Sequence, residues 1–299
     1  MQVYRRAAMK GGIALFGALL SACALGGNFP QDFQSARKFY HSDKFAEAEA
    51  AFVELAGRNV SKRATDESLA QAATCALAQK KYDKAMEYAG RIGEPALGKL
   101  TKVRVLCSQS RWDDVLVLCK ADDIETWPDA LIFDALLWRG RAWAVKRDSA
   151  NAEKDFLASV RFTVLPDNKA IAYQAQGDVS HEVAKDDAKA LQAYGEVMKL
   201  ADSVSAHRLA RAVMARARIL AAQGKGAQSL AELDGLEAEQ LKDPYWRCTV
   251  QLCHGEILEG MGREADALAR YKAALSCDKA PEALRNAAAK KIDAIEKKP

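Results

Sequence analysis

Glycine and proline are scarce in this chain, at 18 and 7 of 299 residues. That scarcity excludes a collagen-like chain and a low-complexity disordered one. There are four histidines, His41, His181, His207 and His254. None is paired with another at i, i+4 or set in an H-E-x-x-H motif, so no zinc-protease helix is present. No C-x-x-C occurs, which removes the common finger and ribbon sites. No segment reads as a strand, so no glycine-rich phosphate loop follows one. The sequence therefore points to a protein that is not an enzyme, with no metal, no cofactor and no small-molecule substrate.

What is abundant is alanine, 58 residues, about a fifth of the chain. Alanine costs least in a helix and proline most, so the chain reads as all-α.

The amino terminus carries an address. Arg5, Arg6 and Lys10 precede an uncharged apolar run from Gly11 to Ala22. A basic region followed by a short apolar one is the pattern of an export signal, and twelve residues are too few to span a bilayer, which takes about 20. Leu20-Ser21-Ala22-Cys23 then resembles the lipobox of bacterial lipoproteins. That resemblance implies cleavage before Cys23, diacylglycerol on its thiol, and a lasting membrane anchor. Ala22-Cys23-Ala24 also fits an ordinary signal-peptidase site. Sec and twin-arginine export both stay open. Ala24 leans toward the outer membrane, since in enteric-type lipoproteins an Asp after the cysteine favours inner-membrane retention. The expected organisation is a signal peptide over 1–22, a lipidated tether over 23–31, a repeat body over 32–280 and a terminal helix over 281–299. Loss of the leader takes the formal charge from +4 to +1, too small a value to support nucleic-acid binding.

The body is periodic. Gly140, Trp143, Ala152 and Phe156 match Gly255, Leu258, Ala267 and Tyr271 at the same offsets. These segments resemble the tetratricopeptide repeat (TPR), a helix–turn–helix unit of about 34 residues. Five further segments follow the pattern: Ala36 to Phe52, Ala73 to Ala89, Val103 to Cys119, Asp178 to Tyr194, and Ala217 to Leu233. In the fifth, Asp178 stands at the small-residue site with His181, Ala190 and Tyr194, and is the poorest match. Second helices are expected to open at Phe45, Tyr82, Trp112, Ser149, Asp187, Gly226 and Glu264. Turns are expected at Asp122-Asp123, Trp127-Pro128-Asp129, Pro166-Asp167-Asn168 and Asp243-Pro244. The resemblance implies an all-α, right-handed TPR-like helical-hairpin solenoid of about seven repeats. A last amphipathic helix with Leu284, Ala288, Ile292 and Ile295 on one side would cap its final apolar face.

Besides Cys23 there are Cys75, Cys107, Cys119, Cys248, Cys253 and Cys277. Cys107 could pair with Cys119, and Cys253 with Cys277, but free buried thiols acting as small hydrophobes are favoured. In TPR folds the residue after the small residue of the first helix faces the concave groove. Here those residues are Arg37, Thr74, Arg104, Arg141, Val179, Arg218 and Glu256, and Arg211 adds a fifth arginine two turns before Arg218. Arginine pairs bidentately with carboxylates, so the stripe is a candidate groove for acidic or C-terminal peptide segments. The alternative is solvated arginine on helices that need a polar face. The asparagines and lysines of the chaperone-binding carboxylate clamp are absent from the matching sites. The resemblance implies a lipid-anchored envelope scaffold that binds other envelope proteins, outer-membrane and periplasm-facing. The alternative is a cell-wall-acting enzyme, or an activator of a peptidoglycan hydrolase or synthase.

Overall fold

A computed structural model describes residues 28–236 and 241–297. The export signal and Cys23 lie outside the described residues. Among those residues the elements are helices and short helical turns, with no strand. Seven hairpins follow one another: α1 (Phe29–His41) with α2 (Phe45–Gly57), α3 (Lys62–Ala78) with α4 (Tyr82–Arg91), and α5 (Pro95–Ser108) with α6 (Trp112–Leu118). After a single turn, α7 (Ala121–Ile124), come α8 (Asp129–Val145) with α9 (Ser149–Ser159), and α10 (Pro166–Val179) with α11 (Asp187–Met198). Then come α12 (Ala206–Ala222) with α13 (Gly226–Asp234), α14 (Pro244–Gly260) with α15 (Glu264–Leu275), and the last helix α16 (Glu282–Glu296). All seven second helices open at the residues the repeat pattern indicated. Helix α1 starts at Phe29, three residues before the expected edge of the repeat body.

The few prolines explain the helix starts. Pro30, Pro95, Pro166 and Pro244 sit in the first turns of α1, α5, α10 and α14. There their missing N–H costs nothing. Pro128 and Pro281 directly precede α8 and α16. At some of the other helices a side chain caps: Ser61 accepts from the Ala64 N–H at 3.1 Å, and Asp148 from the Asn151 N–H at 3.0 Å.

Each hairpin turn contains one left-handed residue: Asp43, Lys80, Ser110, Arg147, Lys185, Gly224 and Gly262. In six turns the next N–H returns to the carbonyl five residues back, as from Lys81 to Ala76 and Arg263 to Leu258, both 2.9 Å. This is the bond that closes a helix end.

Residues up to Thr163 and from Val164 onward form two compact units. In the first, Phe33, Phe52, Leu69 and Tyr88 gather one core, and Leu100, Leu106, Trp127 and Leu136 another. In the second, Val213, Leu233, Leu258, Tyr271 and Ile292 share a core that includes α16. Ala288 and Ile292 are buried there, so the last helix covers the seventh hairpin.

Inside each hairpin, size is traded between the two helices. A Cβ on Gly140 would stand 2.6 Å from the Phe156 ring, and one on Gly255 would stand 2.4 Å from Tyr271. Val103, larger than the pattern asks, shares its core with the small Cys119.

The fifth hairpin corrects the sequence register. Its small residue is Gly177, whose Cβ would lie 2.6 Å from the Tyr194 ring. Asp178 is one place further on, and Val179 is fully buried rather than facing a groove. The hairpin holds one extra residue, absorbed by a π-turn over Ser180–Ala184. Its closing bond runs accordingly from Asp186 N–H to Ser180, six residues back, at 2.8 Å. A single wide turn of this kind is how an α-helix takes up an insertion.

Two buried ion pairs clamp hairpins at the residue before the small site. Arg139 reaches Asp155 through two bonds of 2.7 and 2.6 Å, and donates to the Cys119 carbonyl of the preceding hairpin at 3.1 Å. Arg216 grips Glu232 at 3.0 and 2.7 Å and donates to the Leu191 carbonyl. Burial opposes the Arg139 charge, but Asp155 outweighs it and the guanidinium pKa is raised.

Candidate functional site

The arginines singled out from the sequence all lie on first helices: Arg37 on α1, Arg104 on α5 and Arg141 on α8 in the first unit, Arg211 and Arg218 on α12 in the second. Arg37 is half-buried on α1. Arg104 on α5 pairs with Asp134 on α8 at 2.7 Å, and the two side chains are 13% and 15% exposed. Its Nε is buried and has no acceptor, so the guanidinium is only partly satisfied by the protein. Arg141 lies over the Trp138 ring one turn earlier on α8, 4.7 Å from guanidinium carbon to centroid, a cation–π contact. Both Arg104 and Arg141 are close enough to Cys107 to oppose, without overcoming, the burial that pushes its thiol pKa up.

The second unit repeats the Arg104–Asp134 arrangement with the charges exchanged. Asp178 on α10 pairs with Arg211 on α12 at 3.2 Å. In both pairs one partner follows the small residue and the other lies six residues before the small residue of the next first helix. Asp178 also accepts from the Tyr194 hydroxyl at 2.7 Å. Burial, with Asp178 adding to it, pushes the Tyr194 phenol well above its usual range. Arg218 faces Glu256 on α14 at 3.6 Å, both about half exposed. Such an open pair is worth about 0–1 kcal/mol.

The structure thus places three of the five arginines against carboxylates of a neighbouring first helix. The sequence reading named the arginines and missed Asp134 and Asp178, although their register was available once the small residues were aligned. In the first unit Arg37, Arg104 and Arg141 lie on first helices, with Asp134 against Arg104. In the second unit Arg211 and Arg218 are matched by Asp178 and Glu256.

A second polar cluster joins the second helices α2 and α4 of the first unit. Glu49 on α2 is 3% exposed. Its carboxylate accepts from Gln79 at 2.7 Å and Tyr88 at 3.0 Å and pairs with Lys84 at 2.8 Å. Burial alone would raise its pKa, but Lys84, Tyr88 and Gln79 together hold it below the ordinary value. The shallow recess beside it, lined by Ala46, Ala50, Val53 and Lys81, offers a saturated carboxylate and no free nucleophile. His181 is within 2.6 Å of Asp187 and His254 within 3.7 Å of Asp234. Among the described residues no group of three or more His, Cys, Asp or Glu side chains could hold a metal ion. No described helix is long and apolar enough to cross a membrane.

The architecture is that of TPR proteins. A tetratricopeptide repeat protein from Parabacteroides merdae superposes with a TM-score of 0.52 at 14% identity, covering 91% of this chain and 100% of the other. The C-terminal part of a TPR repeat-containing protein from Cytophaga hutchinsonii gives 0.51 at 16% identity, over 85% and 98%. These likenesses show the fold. No protein-family model matches the chain, and no curated protein matches it.

Proposed function

We propose that this chain is an interaction scaffold, a non-enzymatic lipoprotein held to the bacterial envelope through Cys23, which recruits other envelope proteins on its first-helix faces. The observation that carries the reading is Arg104. It is a guanidinium on an inter-repeat face, with one nitrogen on Asp134 and a buried Nε lacking any acceptor, beside Arg141. A carboxylate from an extended acidic segment or a chain terminus would pair with the solvent-facing edges of these guanidiniums. The lipobox-like Leu20 to Cys23 and the export pattern before it support the anchor and the periplasm-facing outer-membrane address.

The test is cross-linking in living cells, followed by purification of the full protein and of the triple variant Arg104→Gln, Arg141→Gln, Arg218→Gln. Partners captured by the wild type and lost from the variant, with a shallower salt dependence of binding, are expected. Equal capture and an unchanged salt slope would move the binding surface away from these arginines. Turnover of purified peptidoglycan by the protein alone would replace the scaffold with an enzyme.

A further inference from the structure

Cys248 lies on α14, and Cys277 in the turn between α15 and α16. Their thiols converge on the last turn of α15. Each sulfur is also held by a carbonyl at the end of α15: Cys248 Sγ donates to Ala274 at 3.4 Å and Cys277 Sγ to Ala273 at 3.4 Å. The Cys277 backbone is fixed as well, its N–H on Ala274 and its carbonyl receiving from Ala280, both at 3.2 Å. Two sulfurs anchored on consecutive carbonyls need little movement to bond.

The structure distinguishes this pair from the pairings open in the sequence. Cys253 is five residues after Cys248, which places it about 140° around the helix, and it is fully buried. Cys107 and Cys119 share a core and both are buried away from any soluble oxidant. Of the six described cysteines, all of them thiols here, only Cys277 is partly exposed. A soluble oxidant would therefore meet Cys277 first.

We infer that Cys248 and Cys277 form an oxidisable pair, a disulfide site that locks the turn entering the last helix onto α14. The oxidant is a small-molecule or protein disulfide. The Cys277 thiolate attacks one of its sulfurs, forming a mixed disulfide and expelling one thiolate. Cys248 attacks the Cys277 sulfur and expels the second thiolate, which leaves with the Cys248 proton. Two protein thiols become one disulfide, and the oxidant leaves as two thiols. Burial first, then the neighbouring sulfur, pushes the Cys248 pKa up to about 11, and burial raises that of Cys277. Neither thiolate is stabilised, so the reduced form gains none of the stability that makes some disulfides strong oxidants. The scarcity of thiolate makes formation slow at neutral pH and faster in alkaline buffer.

The full chain, first reduced, is incubated with oxidised glutathione in mildly alkaline buffer. Thiols are then counted in denaturant and the peptides mapped by mass spectrometry. The expected result is two fewer thiols, a peptide joining Cys248 to Cys277, and a melting temperature above that of the reduced chain that falls back on full reduction. Cys253→Ser should behave like the wild type, and Cys277→Ser should form no link and show no rise. Three results would each overturn the inference: an unchanged thiol count after prolonged incubation, glutathione retained on Cys277 in the folded wild type, or a link from Cys277 to any other cysteine. Cys277 is at a partly exposed turn position, so its serine variant is expected to fold and keeps the comparison valid.

Discussion

Adding one methyl group at Gly255 sets two effects of opposite sign against each other. In a helix interior Gly→Ala gains about 1 kcal/mol of propensity. At this site the new Cβ would stand 2.4, 2.7 and 3.0 Å from three atoms of the Tyr271 ring. The ring has little room to withdraw. Tyr271 is fully buried, and its hydroxyl donates to Glu259 at 2.7 Å, which Lys291 of the last helix pairs at 2.9 Å. Overpacking of a filled core costs about 1–3 kcal/mol, and a pinned ring belongs at the upper end. The net expectation for Gly255→Ala is a loss of about 2 kcal/mol, or roughly 4–8 °C in Tm by circular dichroism. Gly90→Ala is the control, because nothing lies within 4 Å of its Cβ, and it should hold or raise Tm. The sixth hairpin uses Ala217 with Leu233, both buried. Gly255→Ala combined with Tyr271→Leu imitates that pairing, so the Gly255→Ala cost should shrink by more than about 1 kcal/mol in the Leu background. A Gly255→Ala variant as stable as the wild type, or a cost unchanged by Tyr271→Leu, would refute the idea that these glycines exist to admit the ring.

Arg139→Met leaves Asp155, 4% exposed, without its partner and frees the Cys119 carbonyl. Breaking one side of a buried pair should cost about 3–5 kcal/mol, read as a lower denaturant midpoint. Glu49 is held below the ordinary carboxylate value of 4.5, so the folded chain binds fewer protons there than the unfolded one. Its stabilising contribution is complete above that value and is lost as pH falls through the depressed folded pKa. Glu49→Gln should therefore flatten the acid limb of a Tm-against-pH profile, and an identical limb would show that other carboxylates control it. Lys80 and Ser110 hold φ of 61° each, so Lys80→Gly and Ser110→Gly should each raise stability by about 0.5–1 kcal/mol in urea titration, the relief of left-handed strain exceeding glycine's added entropy.

The fold was legible because its signals are local. Small and aromatic residues at fixed offsets located the hairpins, prolines opened the first helices, and every second helix began where the pattern indicated. A hairpin of two adjacent helices needs few long-range contacts to be specified, so residue order alone carries it. The fifth repeat departed because the pattern allows no insertion. With Asp178 taken as the small residue the offsets kept their usual length, while Gly177 required one residue more. Only the π-turn, a property of the closed backbone, shows where that residue goes.

The sequence by itself determined the class of fold, the number of hairpins, the helix starts and the position of the arginines. The tertiary structure decided what those arginines meet. Arg104 finds Asp134 and Arg211 finds Asp178 across roughly thirty residues of chain, and Cys277 meets Cys248 rather than Cys253. Charge pairing and thiol contact depend on which faces of separate helices meet. That is fixed by the packing of buried side chains between repeats, which no local spacing encodes.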